Sequence, residues 1–289
     1  MDNTYGIEKI QKANLLMLKE IDRICTKHGI SFALDSGTML GAVRHNGFIP
    51  WDDDVDIAMT RQAWEKFREV APAEFEASSR GNDAPGMKLL TPRDVADTNL
   101  FYDFTPRVLY LNSRRCRNDA DNEYMYLPDL NHLWVDIFIM DKLPEGRLGA
   151  WWQRSLQKLA YAMAMGHRKK LDLAKYKGIE KAGVAILSTA GRLFSMKTLC
   201  RWQETWASGT GNIRTDRMYF SDYQPDWLWV TADRSWSERI IRVPFEDTEM
   251  PVPEEYDHIL REYYGDYMKL PDEEKRRPAH GTEEMDVYA

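Results

Sequence analysis

Cysteine is scarce: Cys25, Cys116 and Cys200 are the only three among 289 residues, and no two form a Cys-x-x-Cys pair. An odd count at wide spacing argues against a disulfide framework and a structural zinc centre, and suits a reduced, cytoplasmic protein. Histidine is also sparse, with six residues and no His-Glu-x-x-His spacing. Long hydrophobic runs are missing: nothing reaches the roughly 18–20 apolar residues of a membrane span, and the longest candidate, Ala182–Ala190, is too short. The opening stretch, MDNTYGIEKIQKANLLMLKEIDRI, is charged and amphipathic and lacks the apolar core of a secretion signal. Positive charge is in deficit, with 39 Lys and Arg against 46 Asp and Glu and a formal net charge of −7. That balance argues against long nucleic acid as a partner, while leaving room for a basic pocket that takes a single phosphate. There is no internal repeat and no low-complexity segment. What remains, 43% hydrophobic and 29% charged residues, is a globular composition long enough for one large domain or two modest ones.

Periodicity orders the first half. Ile7, Ile10, Asn14, Met17, Ile21 and Ile24 recur at helical spacing, interrupted only by Asn14, and predict a helix over 5–27 that Gly29 stops. A strand follows at Ser31–Asp35, a short helix from Gly37 to His45, a loop at Asn46–Trp51, and a second strand at Val55–Met59. Thr60 caps a helix with Trp64, Phe67, Val70 and Ala71 on one face. Leu100–Leu111 and Leu133–Met140 read as further strands. Together these predict an α/β (α+β) fold on a small mixed sheet flanked by helices. Residues 145–215 read as mainly helical. There Trp151, Trp152, Leu156, Leu159, Ala160 and Met163 form an apolar stripe ahead of the basic run Arg168, Lys169, Lys170. The stretch 216–239, rich in Trp and Tyr, carries no assignable pattern. The expected organisation is a catalytic core at 1–144, a helical and aromatic-rich region at 145–240, and a C-terminal segment at 241–289 that packs back on the core.

The sharpest chemical signal is Trp51-Asp52-Asp53-Asp54-Val55-Asp56-Ile57. At an effective dielectric of 20, two carboxylates about 5 Å apart repel by roughly 3 kcal/mol, so several on a half-buried strand call for a neutralising cation, and oxygen ligands suit Mg²⁺. Asp54 and Asp56, two apart on a strand, face the same way, while Val55 and Ile57 face the core. Asp52 and Asp53 are as readily a solvated loop. A calcium-binding loop is excluded, because its sixth position is Ile57 instead of Gly and its twelfth is Ala63 instead of Glu. A third carboxylate is expected from a neighbouring strand. Asp136, inside Leu133-Trp134-Val135-Asp136-Ile137-Phe138-Ile139, is costly there unless paired or bound to metal. Asp141, at the end of that run, reads as a cap or turn residue.

Upstream, Ser36-Gly37-Thr38-Met39-Leu40-Gly41 lies between a strand and a helix start, where backbone N–H groups can meet a phosphate. It is neither a GxGxxG nor a P-loop. Arg44 could grip phosphate with its planar fork, His45 could contact phosphate or the leaving group, and Arg107 is a further phosphate candidate.

Read through, Leu34 to Ile57 (LDSGTMLGAVRHNGFIPWDDDVDI) closely resembles the signature of the LicD family, which includes the fukutin-type phosphotransferases and lies in the polymerase-β-like nucleotidyltransferase superfamily. Val135-Asp136-Ile137-Phe138 resembles the family's later Asp-containing strand, although Ile139 stands where a Pro is usual. Tyr264-Gly265-Asp266-Tyr267-Met268-Lys269-Leu270-Pro271 and His280 resemble its C-terminal segment. Residues 145–230 match nothing in the resemblance. It implies a nucleotidyltransferase fold with a helical insertion. It also implies transfer of phosphocholine, or of ribitol or glycerol phosphate, from a CDP-activated donor to a hydroxyl of a glycan or lipid-linked glycan. Asp54 and Asp56 would hold Mg²⁺ or Mn²⁺ on the donor phosphates, Asp136 would activate the acceptor hydroxyl, and Ser36, Gly37, Thr38 and Asp52 would lie against the donor. The competing readings are a nucleotidyltransferase that attaches a nucleoside monophosphate, and a non-catalytic glycan-binding protein, against which the complete acid set argues. A further expectation is peripheral contact at the inner face of the membrane, through Trp151, Trp152 and Arg168–Lys170.

Overall fold

The computed structural model describes residues 5–80, 86–115, 127–278 and 285–288; Cys116 and His280 lie outside them. Helix α1 (Glu8–His28) buries Ile10, Met17, Leu18, Ile21 and Ile24 along one face, and Gly29 ends it in the left-handed conformation, φ 60° and ψ 47°. Asn14, the polar break in the stripe, is fully buried for a reason. Its Nδ2 donates to the Asp53 carbonyl at 3.5 Å, while Gln11 Nε2 donates to the carbonyls of Ile49 and Asp52 at 3.0 Å each. The first helix therefore holds the acidic loop by its backbone.

The chain continues through β1 (Ala33–Leu34), α2 (Ser36–His45), β2 (Asp56–Thr60), α3 (Arg61–Ser78), β3 (Met87–Leu90), α4 (Pro92–Ala96), β4 (Arg107–Tyr110), β5 (Ser113–Arg115) and β6 (Leu133–Lys142). Thr60 Oγ1 accepts from the Ala63 N–H at 3.2 Å, which caps α3 as its sequence predicts. The main sheet runs β1-β2-β6-β4-β3; β2 and β6 are parallel and the other neighbours antiparallel. This is a mixed α+β architecture. Of the strand expected over 100–111, only 107–110 forms. Asp103 Oδ1 accepts from the Thr105 N–H at 3.1 Å in a tight turn, and Pro106 has no N–H to give a ladder.

Helices α5 (Arg147–Ala164), α6 (Gly178–Gly191) and α7 (Met196–Ser208) follow, and then β7 (Arg217–Phe220) and β8 (Ala232–Asp233) return to the sheet. The long strand β6 is paired on one edge by β2. On the other edge β4 takes residues 133–136 and β7 takes 140–142, leaving a break between them. The α5 stripe divides differently from its sequence pattern. Trp151 and Trp152 are 63% and 59% exposed, whereas Gln153 and Gln157 are buried. Gln153 Nε2 donates to the Trp206 carbonyl at 2.6 Å and the Tyr219 hydroxyl at 2.9 Å, so a satisfied amide occupies the inner face. Asp141 is neither cap nor turn. It lies within β6, buried, where Arg61 Nε and NH2 donate to its two oxygens at 3.0 and 2.6 Å. Helix α8 (Ser235–Glu238), the hairpin β9 (Ile240–Phe245) and β10 (Thr248–Pro253), helix α9 (Tyr256–Tyr264) and β11 (Met285–Val287), which pairs β5, complete the fold.

Candidate active site

The site forms where β2 and β6 run parallel. In β6, Val135, Ile137 and Ile139 face the core, and Trp134, Asp136 and Phe138 face the other way. The register sets Asp136 opposite Asp56 on β2 and opposite Arg107 on β4, so one half-buried carboxylate has an acid on one side and a cation on the other. Arg107 is fully engaged. Its Nε lies 2.8 Å from Asp136 Oδ1, its NH1 and NH2 donate to Asp103 at 2.8 and 2.6 Å, and Tyr102 and Trp134 present ring faces to the guanidinium at 5.0 and 5.1 Å. Trp134 Nε1 donates to the second oxygen of Asp136 at 3.0 Å.

The glycine turn meets the acids from the other side. The Asp56 N–H donates to Thr38 Oγ1 at 3.0 Å, and the Asp35 N–H to the Asp56 carbonyl at 3.0 Å. Ser36 opens α2 at φ 48°, a left-handed conformation that costs a non-glycine residue about 1 kcal/mol or more and is typical of functional sites. A Cβ on Gly37 would lie 2.8 Å from Asp52 Oδ2, so the small residue leaves the space that the Asp52 carboxylate fills. One on Gly41 would lie 2.5 Å from the Gly47 carbonyl, so that glycine admits the loop leading to the acids.

The acids crowd one another. Burial, then Asp54, Asp136, Asp35 and Asp52, holds the Asp56 carboxyl well above the carboxylate range. Burial, then Asp54, does the same for Asp52. Burial lifts Asp136 to about 6 against the lowering influence of Arg107. Oxygens of Asp52, Asp53 and Asp54 come within 4.8 Å of one another, and among the described residues these are the acids close enough together to share an ion, so the expected trio of Asp54, Asp56 and Asp136 is not gathered that tightly. Asp53 is 1% exposed, so the open reading of Asp52 and Asp53 as a solvated loop does not hold. The predicted Asp54, Asp56 and Asp136 thus belong to a larger patch that includes Asp52 and Asp35.

Arg44 stands at the rim, its NH1 donating to the Tyr267 carbonyl at 2.6 Å; burial lowers its pKa against the opposing pull of Tyr264 and Asp52. His45 meets Trp51 edge-on at 6.3 Å, and burial, then Arg44, pushes its pKa down.

Beside the acids opens a cavity of about 410 Å³, lined by Ser36, Asp103, Arg107, Asp136 and Phe138 at its floor and by Tyr223, Trp227, Trp229, Glu262, Tyr263 and Tyr264 at its walls. Tyr223 reaches across to donate to Asp35 Oδ2 at 2.9 Å. None of the wall residues was a sequence candidate. For Tyr223, Trp227 and Trp229 the signal was the density of Trp and Tyr over 216–239, which carries no periodicity because these three line a cavity while Tyr219 and Trp236 pack in the core; Glu262, Tyr263 and Tyr264 come from α9.

Residues 29–100 match the family model described as LicD/FKTN/FKRP, nucleotidyltransferase domain. Over 286 residues the chain is 26% identical to the lipopolysaccharide cholinephosphotransferase LicD of Haemophilus influenzae, covering 94% of this chain and 96% of that protein. Shorter matches join it to uncharacterized proteins of Rickettsia typhi, 41% identical over 69 residues, and Rickettsia prowazekii, 40% identical over 60 residues; each covers 22% of the relative.

Proposed function

The chain belongs to the LicD family of transferases, and from that premise we propose that it moves phosphocholine from a CDP-activated donor onto a hydroxyl of a cell-surface glycan precursor. The observation that carries the choline assignment is the cavity beside Asp136. A quaternary ammonium bears charge but no N–H, so it is recognised by aromatic faces and a nearby carboxylate, worth about 0.5–2 kcal/mol per ring. Trp227, Trp229, Tyr263, Tyr264 and Glu262 supply that combination within one space. Ribitol or glycerol phosphate would ask instead for side chains that pair several hydroxyls.

In this reading the acceptor oxygen forms a bond to the phosphorus of the phosphocholine unit. The bond from that phosphorus to the bridging oxygen breaks, and CMP leaves. The hydroxyl proton passes to the Asp136 carboxylate, which Arg107 and Trp134 orient. Ser36 and Gly37 would meet the donor, with Arg44 and His45 near it, while Thr38, expected at the donor, is buried and holds the Asp56 N–H instead. The carboxylates at Asp54, Asp56 and Asp136 would hold Mg²⁺ or Mn²⁺, assisted by Asp52. The chemistry of the donor set fits, because it is all oxygen, and Asp54 and Asp52 also belong to the close group of three acids. When bound, the ion supplies neutralisation of diphosphate charge. The relative's name makes lipopolysaccharide the kind of acceptor to test first.

The test is release of CMP from CDP-choline, CDP-ribitol, CDP-glycerol and CTP in parallel, with a lipopolysaccharide acceptor and Mg²⁺. CDP-choline is expected to be consumed in preference, with a donor KM raised roughly 10-fold in Trp227→Ala/Trp229→Ala. Equal use of CDP-ribitol, or pyrophosphate from CTP as the main product, would refute the assignment.

A further inference from the structure

Helix α6 has only two small residues fully buried, Ser188 and Gly191, with Val184 and Leu187 half-buried against the core shared with α5 and α7, and Gly191 lets the helix backbone press against that of Met163 on α5. Its outer face is apolar. Ile179 and Ile186, seven residues apart and so on one line down the helix, are 92% and 68% exposed, and Leu193 in the turn just past the helix end is 82% exposed. Ala182 is exposed on the same line, and Phe194 continues it beyond the helix end. A solvent-facing helix ordinarily reverses this pattern, and a ridge of this kind marks a surface that meets something apolar.

The surroundings indicate what. Residues 169–201 hold eight Lys or Arg against two acids, Asp172 and Glu180, in a chain whose formal net charge is −7, and all eight are exposed. An apolar ridge in a cationic field matches an anionic lipid surface, which takes the side chains at the acyl boundary and the cations at its headgroups. Among the described residues no helix is long and apolar enough to cross a membrane, so the contact would be one of lying on the surface. The helix is also placed to matter. Its Glu180, Gly183, Val184 and Leu187 line one wall of a groove of about 1050 Å³, and that groove shares Asp103 and Gln224 with the cavity beside Asp136.

We propose that the outer face of α6 and the turn that follows it, Ile179 to Phe194, seat this protein on an anionic membrane surface, so that the groove leading to the cavity opens toward lipid-borne acceptors. The ridge differs from the patch read from sequence at Trp151, Trp152 and Arg168–Lys170. Arg168 turns inward, donating to the Tyr102 carbonyl at 2.8 Å and the Tyr161 hydroxyl at 3.0 Å. The part concerning acceptors rests on the transferase reading; the membrane contact does not.

The experiment is cosedimentation of the full chain with vesicles of phosphatidylcholine alone or mixed with phosphatidylglycerol, at low and high salt. Binding is expected only to the mixed vesicles, falling steeply with salt. Ile179→Ser/Ile186→Ser/Leu193→Ser should lose it by at least about 10-fold. Lys177→Gln/Lys181→Gln should weaken it about 30-fold, roughly fivefold for each cation. Both variants change exposed groups, so their melting temperatures, and turnover on a delipidated acceptor, should match the parent. Failure of the parent to pellet, or undiminished pelleting of the triple variant, overturns the proposal. So does a parent that is dimeric in sedimentation velocity, binds no vesicle and becomes monomeric in the triple variant, because the ridge would then be an interface between copies. Loss of turnover with intact vesicle binding would instead count against the transferase reading.

Discussion

Replacing Arg107 by Met tests the electrostatic frame of the site most directly. The guanidinium is buried and answers two carboxylates, the buried Asp103 through a two-pronged bridge at 2.8 and 2.6 Å and the half-buried Asp136 at 2.8 Å. Met retains much of the volume between Tyr102 and Trp134, so the loss is mainly of charge. Removing one partner of a buried pair typically costs about 3–5 kcal/mol, because the remaining charge is left uncompensated. For a chain of this size that corresponds to a fall in melting temperature of about 10 °C. If the penalty comes from stranded carboxylates, neutralising one should recover part of it: Arg107→Met/Asp103→Asn should be more stable than Arg107→Met alone by about 1–3 kcal/mol. Arg107→Lys should lie between, keeping the charge but losing the fork. The assay is chemical denaturation in chelator of five proteins, with the parent, Arg107→Met, Asp103→Asn and their double variant read as a double-mutant cycle and Arg107→Lys beside them. A loss below about 1 kcal/mol in the single variant, with no recovery in the double, would show that Arg107 is not what balances the acids.

Three other outcomes follow from the same structure. Asp56→Asn should reduce turnover by roughly 100-fold yet raise the melting temperature in chelator, since it removes a carboxylate that burial and its acidic neighbours disfavour; unchanged turnover would remove Asp56 from the chemistry. Gly41→Ala sets a methyl 2.5 Å from the Gly47 carbonyl and 3.1 Å from the Ile49 nitrogen. It should cost about 1–3 kcal/mol and raise the donor KM, and thermal denaturation with steady-state kinetics would show neither if the loop had slack. At the surface, Lys27, then His28 and Arg23, hold the Glu74 carboxyl down to about 2. A depressed acid stabilises the fold above its ordinary pKa and loses that contribution as pH falls toward 2. Glu74→Gln should therefore melt lower than the parent at pH 7 and converge with it as the pH is taken down through the acid range. A gap that persists at the acid end would point to packing instead of charge.

How legible the molecule was in its sequence depended on whether a residue's partner was near in the chain. Helix α1 and its Gly29 stop, the Thr60 cap and the alternation in β6 are local consequences of periodicity and capping chemistry, and all appear as read. Asp54, Asp56 and Asp136 stood out because carboxylates alternating with Val and Ile are costly wherever the strand lies. Asn14 looked like a flaw in a stripe, because the carbonyl it meets is that of Asp53, 39 positions away. Asp141 looked like a strand end, because Arg61 and Ser221, which justify its burial, lie about 80 residues away on either side. The aromatic wall was invisible for a related reason: Trp227 and Trp229 are 57% and 58% exposed, so no hydrophobic periodicity governs them.

The break along the β6 edge, with β4 on one side and β7 on the other, carries a consequence for how the protein comes into being. The acids and glycine turn of residues 34–57 are made early in synthesis, but their supports arrive late. Tyr223 donates to Asp35 across 188 positions, Glu246 accepts from the Phe48 N–H across 198, and the Tyr267 carbonyl accepts from Arg44 across 223. Pairings of such separation form slowly, and only after the intervening chain is available. A nascent chain halted before residue 223 would have its acids and its glycine turn but neither the cavity walls nor the bonds that hold the turn in position. On the transferase reading proposed above, reactivity toward a donor would begin only when the fold closes on itself, and a half-made chain would have no complete site with which to hydrolyse donor.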